Sequence, residues 1–171
     1  MKKLILTVTI LSLGIASFAQ QEHSDTRPTN NIYLNLLGDA SLISINYERL
    51  FLVSPKFTVS SKLGVGYNQE FQLCFGSCLA SPKNYFTLPH HVTGNFGKGK
   101  HLFELGLGGT FISGDTPQPY SLYPILGYRI QPLMPDRLTF RIFAQIPLLH
   151  PAAMEDILFS PIGLSVGVSF K

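Results

Sequence analysis

Ile162-Gly163-Leu164-Ser165-Val166-Gly167-Val168-Ser169-Phe170, followed by Lys171, alternates without a break between an apolar residue and Gly or Ser. Successive side chains of a strand point to opposite faces, so this stretch has one greasy face and one small, polar face. A soluble barrel would turn the greasy face inward. A wall that is apolar outside and polar inside is what a membrane requires of a barrel. Seven further segments have strand character: Asn31–Leu37, Ser41–Val53, Lys56–Asn68, Asn84–Gly97, His101–Ser113, Pro119–Gln131 and Arg137–Leu148. With Pro161–Phe170 they make eight expected strands, most of them near the roughly 9–11 residues that cross a bilayer obliquely. No segment sustains a helical period. The expected fold is all-β: an eight-stranded, antiparallel, up-and-down transmembrane β-barrel.

The connectors carry turn chemistry and alternate in length. Ser54-Pro55, Lys98-Gly99-Lys100 and Leu133-Met134-Pro135-Asp136 are short, whereas Glu70–Lys83, Gly114–Gln118 and Leu149–Ser160 are mostly longer. Outer-membrane barrels have short periplasmic turns and longer outside loops, so a periplasmic N-terminus puts all three short turns on the periplasmic side. Gly38-Asp39-Ala40 breaks the pattern as a tight outside turn.

The ends of the chain and its composition agree with this reading. Lys2 and Lys3 precede a short apolar core, Leu4–Ile15, and the small-x-small site Ser17-Phe18-Ala19. That is the order of a secretory signal peptide, residues 1–19, cleaved before Gln20. The apolar run is shorter than the roughly 20 residues of a spanning helix. Residues 20–30 are polar and read as a flexible periplasmic leader, and residues 31–171 as the barrel. Charged residues are 13% of the chain, about half the usual share. A barrel explains scarce charge without long apolar runs, because alternation spreads its apolar residues out. The net charge of +3 falls to +1 without Lys2 and Lys3, which gives no basis for a nucleic-acid partner.

Parity assigns the two faces. Outward aromatics collect at strand ends: Phe51, Phe57, Phe96, Phe103, Tyr128, Phe140 and Phe170 toward the periplasm, and Tyr67, Phe86, Phe111 and Tyr120 toward the outside. Such rings sit at headgroup level in membrane barrels. The same parity turns Glu48, Lys62, His91, Glu104, Arg129 and Arg141 into the lumen. An eight-stranded barrel is just wide enough to be filled by side chains, and buried charges must be paired. The expectation is a salt-bridged plug with Glu104 between Arg129 and Arg141 and Glu48 near Lys62; the alternative is a narrow ion path. Pro89 cannot donate to a ladder, and His90 falls on the lipid face near mid-bilayer, where a polar group is expensive. A bulge at this point would re-aim one histidine.

In order along the chain, Ser41–Phe51, Leu63-Gly-Val-Gly-Tyr67, Gly99–Gly109, Gly127-Tyr-Arg-Ile-Gln-Pro132 and Gly163–Phe170 together resemble a family of small outer-membrane β-barrel proteins of Bacteroidota. The resemblance implies porin-like architecture in the cell outer membrane. It supplies no established activity and no catalytic residues. The expected partners are outer-membrane lipid and, during insertion, the barrel-assembly machinery; no surface partner is identified. Pro89-His90-His91 departs from the apolar alternation usual in the family's fourth strand.

Cys74 and Cys78 lie in the loop Glu70–Lys83. An oxidising periplasm favours a loop-pinning disulfide, although the enclosed ring is small; free thiols are the alternative. Two Cys are too few for a metal site. His90, His91 and His150 invite an enzyme reading, but no nucleophile motif accompanies them. Leu105-Gly-Leu-Gly-Gly-Thr110 lacks the helix and Lys of a phosphate loop. The apolar segment of Leu149–Ser160 (Met154, Ile157, Leu158, Phe159) is a loop cap or a partner-docking surface. No enzyme activity, metal or cofactor is expected. A structural or surface-interaction protein is the leading reading; a small pore or transport-associated component and a lipid-modifying enzyme are the alternatives.

Overall fold

The computed structural model describes residues 27–69, 83–114, 119–148 and 159–171. Every regular element among them is a strand: β1 (Asn30–Leu36), β2 (Ile43–Ser54), β3 (Phe57–Gln69), β4 (Asn84–Lys98), β5 (His101–Ser113), β6 (Tyr120–Ile130), β7 (Leu138–Gln145) and β8 (Ile162–Phe170). Each strand pairs antiparallel with its sequence neighbours. β8 then returns to β1, with Asn30 opposite Phe170 and Leu36 opposite Leu164, and closes an eight-stranded barrel. Closure leaves no unpaired edge.

The burial pattern follows the alternation and inverts that of a soluble barrel. Leu105, Ile142 and Val166 are 52%, 49% and 41% exposed, whereas Glu104 and Arg141 are 0% and 5% exposed. Twenty-six polar or charged residues are buried among the described residues, against nine apolar ones. The outward set is an apolar coat interrupted at Arg49, Ser61 and His90, and its aromatics line up by register. Phe57 faces Phe96, Phe96 faces Phe103, and Phe103 faces Tyr128, across four consecutive strands at the end that carries both termini.

Several boundaries differ from the sequence reading. Asn30 already belongs to β1, and the three residues before it are held: Thr29 O accepts from Leu50 N at 2.7 Å, and Arg27 donates to Gly99 O at 2.6 Å. β7 stops at Gln145, two residues before Pro147, although Leu148 N still reaches Leu122 O at 2.9 Å.

No bulge forms at Pro89. Leu63 faces His90 and Gly66 faces Thr87, which is one unshifted register. The pairing lapses only across Pro89 and its neighbour, because Pro has no N–H to donate. His90 stays on the outer face and finds a partner instead. Its ring stacks on Tyr120, and its Nε2 lies 3.0 Å from the Tyr120 hydroxyl. Gly109 makes the space: a Cβ there would lie 2.0 Å from that hydroxyl and 2.8 Å from His90 Nε2.

The turn between β1 and β2 is tight and lies at the end opposite the termini, and it folds into the barrel. Leu37, Gly38, Asp39 and Ala40 have φ of 59°, 77°, 56° and 49°, four successive left-handed residues of which only one is glycine. Each non-glycine residue so held costs about 1–2 kcal/mol. The conformation turns Asp39, Ala40 and Ser41 inward, where they are 0%, 1% and 4% exposed.

Candidate functional site

The polar lumen is the site that the barrel builds, and it is arranged in tiers. Nearest the termini, Asn31 donates to Gln131 Oε1 at 3.3 Å while Gln131 donates back to Asn31 Oδ1 at 3.0 Å. Ser169 Oγ adds a bond to the same Asn31 oxygen at 2.6 Å. Asn31 also donates to Glu48 Oε2 at 2.8 Å, which ties this tier to the next.

The second tier is a four-membered ion chain. Arg129 forks onto Glu48, Nη1 to Oε2 at 2.8 Å and Nη2 to Oε1 at 2.7 Å. Arg141 forks onto Glu104, Nε to Oε2 at 2.6 Å and Nη2 to Oε1 at 2.8 Å. Arg129 Nη2 also reaches Glu104 Oε2 at 3.3 Å and joins the two pairs. Glu104 therefore lies between the two arginines. Glu48 and Lys62 stand opposite each other on β2 and β3, yet they take different ionic partners. The planar guanidinium of Arg129 matches a carboxylate with two parallel bonds, which an ammonium cannot do. On its far side, the Arg141 guanidinium stacks 4.1 Å from the Phe143 ring centroid.

The third tier depends on a residue that sequence parity does not assign. Lys62 pairs with Asp39, which also accepts from Asn35 Nδ2. His91 Nε2 lies 2.8 Å from Asp39 Oδ1 and 3.3 Å from the Tyr123 hydroxyl. Thr110 donates to Asp39 O at 2.8 Å and shares a 2.7 Å bond with Tyr123. Above it, Asn68 donates to Ala40 O at 2.8 Å, and the Ser41 and Thr87 hydroxyls meet at 2.6 Å. The inward turn thus stops the barrel end opposite the termini. Burial alone would push the Asp39 carboxyl up; His91 first and then Lys62 more than offset this and hold it well below the ordinary carboxylate range.

The parity set holds two acids and three bases. The missing carboxylate is the one signal that pointed to a further acid, and Asp39 is the acid in the nearest turn. With it, three carboxylates (Asp39, Glu48, Glu104) balance three cations (Lys62, Arg129, Arg141), all at most 5% exposed. Space inside is correspondingly scarce. The cavity among Tyr33, Glu48, Arg129 and Arg141 is about 10 Å³, at the lower limit for one water. An apolar groove of about 500 Å³ lies on the outer wall, bordered by Leu36, Tyr128, Ile142 and Leu164.

The charged groups of the lumen are engaged with one another. His91, Asp39 and Tyr123 have the makings of an acid–base relay, but they are 3%, 0% and 0% exposed and point at one another. No group of three or more potential metal ligands occurs among the described residues. Cys74, Cys78 and His150 lie outside the described residues. No family model matches the chain, and neither does any curated protein or any solved structure.

Proposed function

We propose that this chain is an integral outer-membrane β-barrel protein with a closed lumen, acting as a structural or surface-interaction element rather than as a pore or an enzyme. The observation that carries the reading is the inversion itself: the apolar residues coat the outside of a closed barrel, and a charge-balanced network fills the inside. In water this arrangement would expose most of the apolar surface and bury most of the polar groups, the reverse of what drives folding there. In a bilayer the same coat is solvated by hydrocarbon, and every strand is satisfied by its neighbours. The resemblance to the small Bacteroidota barrels and the signal-like N-terminus point to the same membrane.

The plug follows from the energetics. An ion crossing the lumen must part pairs whose members are almost wholly desolvated, and leaving one such charge unpartnered costs about 3–5 kcal/mol. The refolded protein is expected to show no stable conductance in a planar bilayer. Discrete, long-lived open steps would establish the pore reading instead. Cell fractionation and N-terminal sequencing test the address: the expected result is an outer-membrane protein beginning at Gln20, and recovery in a soluble fraction would end the membrane assignment.

A further inference from the structure

The charges outside the lumen are distributed unevenly. Arg49, Lys56, Lys98, Lys100, Arg137 and Lys171 surround the end that carries the termini, and all are exposed. Asp136 is the only acidic side chain outside the lumen among the described residues at that end, and it pairs with Lys100; in the sequence Glu22 and Asp25 precede β1, outside the described residues. At the opposite end Lys83 is the only cation in the sequence, and the acids Glu70, Asp115, Glu155 and Asp156 fall in those connectors, outside the described residues.

The cations also stand at a defined height. Lys98 follows Phe96 by two residues on the outward parity of β4, and His101 precedes Phe103 by two on β5; Lys98 and His101 face each other. Two residues of strand are about 7 Å. Arg137 stands three residues before Phe140 on β7, and Lys171 directly follows Phe170. Lys56 directly precedes Phe57, whose ring lies 4.7 Å from that of Phe96. Around this end, then, Lys56, Lys98, Lys100, Arg137 and Lys171 lie just beyond a row of aromatics, whereas Arg49 precedes Phe51 by two residues on β2 and stands on the barrel side of it. Aromatic rings mark the boundary between hydrocarbon and headgroup. A few ångströms further out is the level of lipid phosphate.

We propose that this basic girdle binds the phosphate headgroups of anionic phospholipids in the periplasmic leaflet and so fixes the barrel's depth and orientation. The inference rests on the membrane reading above and adds a ligand class to it. The complementarity is of charge and of height together: among the described residues, five exposed cations and one acid present a positive ring where the phosphates lie. Arg49 is steadied by Asn30 Oδ1 at 3.4 Å, and Lys100 is engaged with Asp136. Lys56, Lys98 and Arg137 are the exposed members best placed to answer lipid.

The test uses the full mature chain refolded in vesicles of phosphatidylcholine containing trace spin-labelled phosphatidylglycerol or phosphatidylcholine, with the motionally restricted fraction read by electron spin resonance. The wild type is expected to prefer phosphatidylglycerol by about fivefold or more at low salt, the factor that a single surface Lys or Arg adds near an anionic membrane. High salt should erase the preference. The triple variant Lys56→Gln, Lys98→Gln, Arg137→Gln should fold, as judged by heat-modifiable gel mobility, and bring the ratio close to one. A wild type that inserts but shows no preference overturns the girdle and leaves the membrane reading intact. A chain that never inserts overturns the membrane reading, and the girdle with it. An unchanged ratio in the folded triple variant overturns the assignment to these residues, and co-sedimentation of the wild type with isolated peptidoglycan but no lipid preference assigns the ring to the cell-wall polymer instead.

Discussion

Replacing Glu104 with Gln probes the lumen directly. The Glu104 carboxylate takes two bonds from Arg141 at 2.6 and 2.8 Å and one from Arg129 at 3.3 Å. Gln preserves volume but removes the charge and offers one acceptor oxygen where there were two. Arg129 keeps its fork on Glu48, whereas Arg141 keeps no carboxylate and cannot lose its proton. Its side chain is 3% exposed, so water compensates little. Stranding one member of a buried pair costs about 3–5 kcal/mol, and the partial acceptor places Glu104→Gln near the lower figure. The exposed pair of Lys100 and Asp136, with side chains 45% and 58% exposed, is the internal control: Lys100→Ala should cost less than about 1 kcal/mol. The double change Glu104→Leu with Arg141→Met removes one charge of each sign, leaves Asp39 and Glu48 balanced by Lys62 and Arg129, and should recover most of the loss. The chain has no Trp, so urea unfolding of the refolded barrel in vesicles is best followed by far-ultraviolet circular dichroism. If Glu104→Gln costs no more than Lys100→Ala, the lumen is solvated and the plug is wrong.

Three further outcomes are expected. Gly109→Ala should break the His90–Tyr120 contact, since the new Cβ would lie 2.0 Å from the Tyr120 hydroxyl; a loss of about 1–3 kcal/mol by the same unfolding assay is expected. Ala40 has φ 49° and is 1% exposed, so Ala40→Gly should stay within about 1 kcal/mol of wild type while the β-branched Ala40→Val costs about 2 kcal/mol or more; equal effects would show that the left-handed turn is not held. Because the Asp39 carboxyl is depressed in the folded protein, its stabilisation is complete above its unfolded pKa, about 3.9, and is lost as pH falls below that. The stability gap between wild type and Asp39→Asn should therefore narrow below about pH 4, and a gap independent of pH would refute the ion-pair role.

The alternation in Ile162–Phe170 and its seven counterparts determined the strands, their number and the face that each residue presents, because a strand's side-chain period is a property of the local backbone. The inward direction of Glu48, Lys62, His91, Glu104, Arg129 and Arg141 follows from that parity alone. Their partners do not. Strand neighbours such as Glu48 and Lys62 are adjacent in register, yet which cation a carboxylate takes depends on closure and stagger, which bring Arg129 from β6 across the lumen to β2. Asp39 escaped the reading for a related reason. Parity says nothing of a turn, and only the inward fold of Leu37–Ala40, held by bonds from Asn35, Lys62, His91 and Thr110, carries that carboxylate to its place. The sequence set which faces are apolar and which are charged; the closed barrel chose the pairs, because pairing is decided by distances across the lumen that no local period encodes.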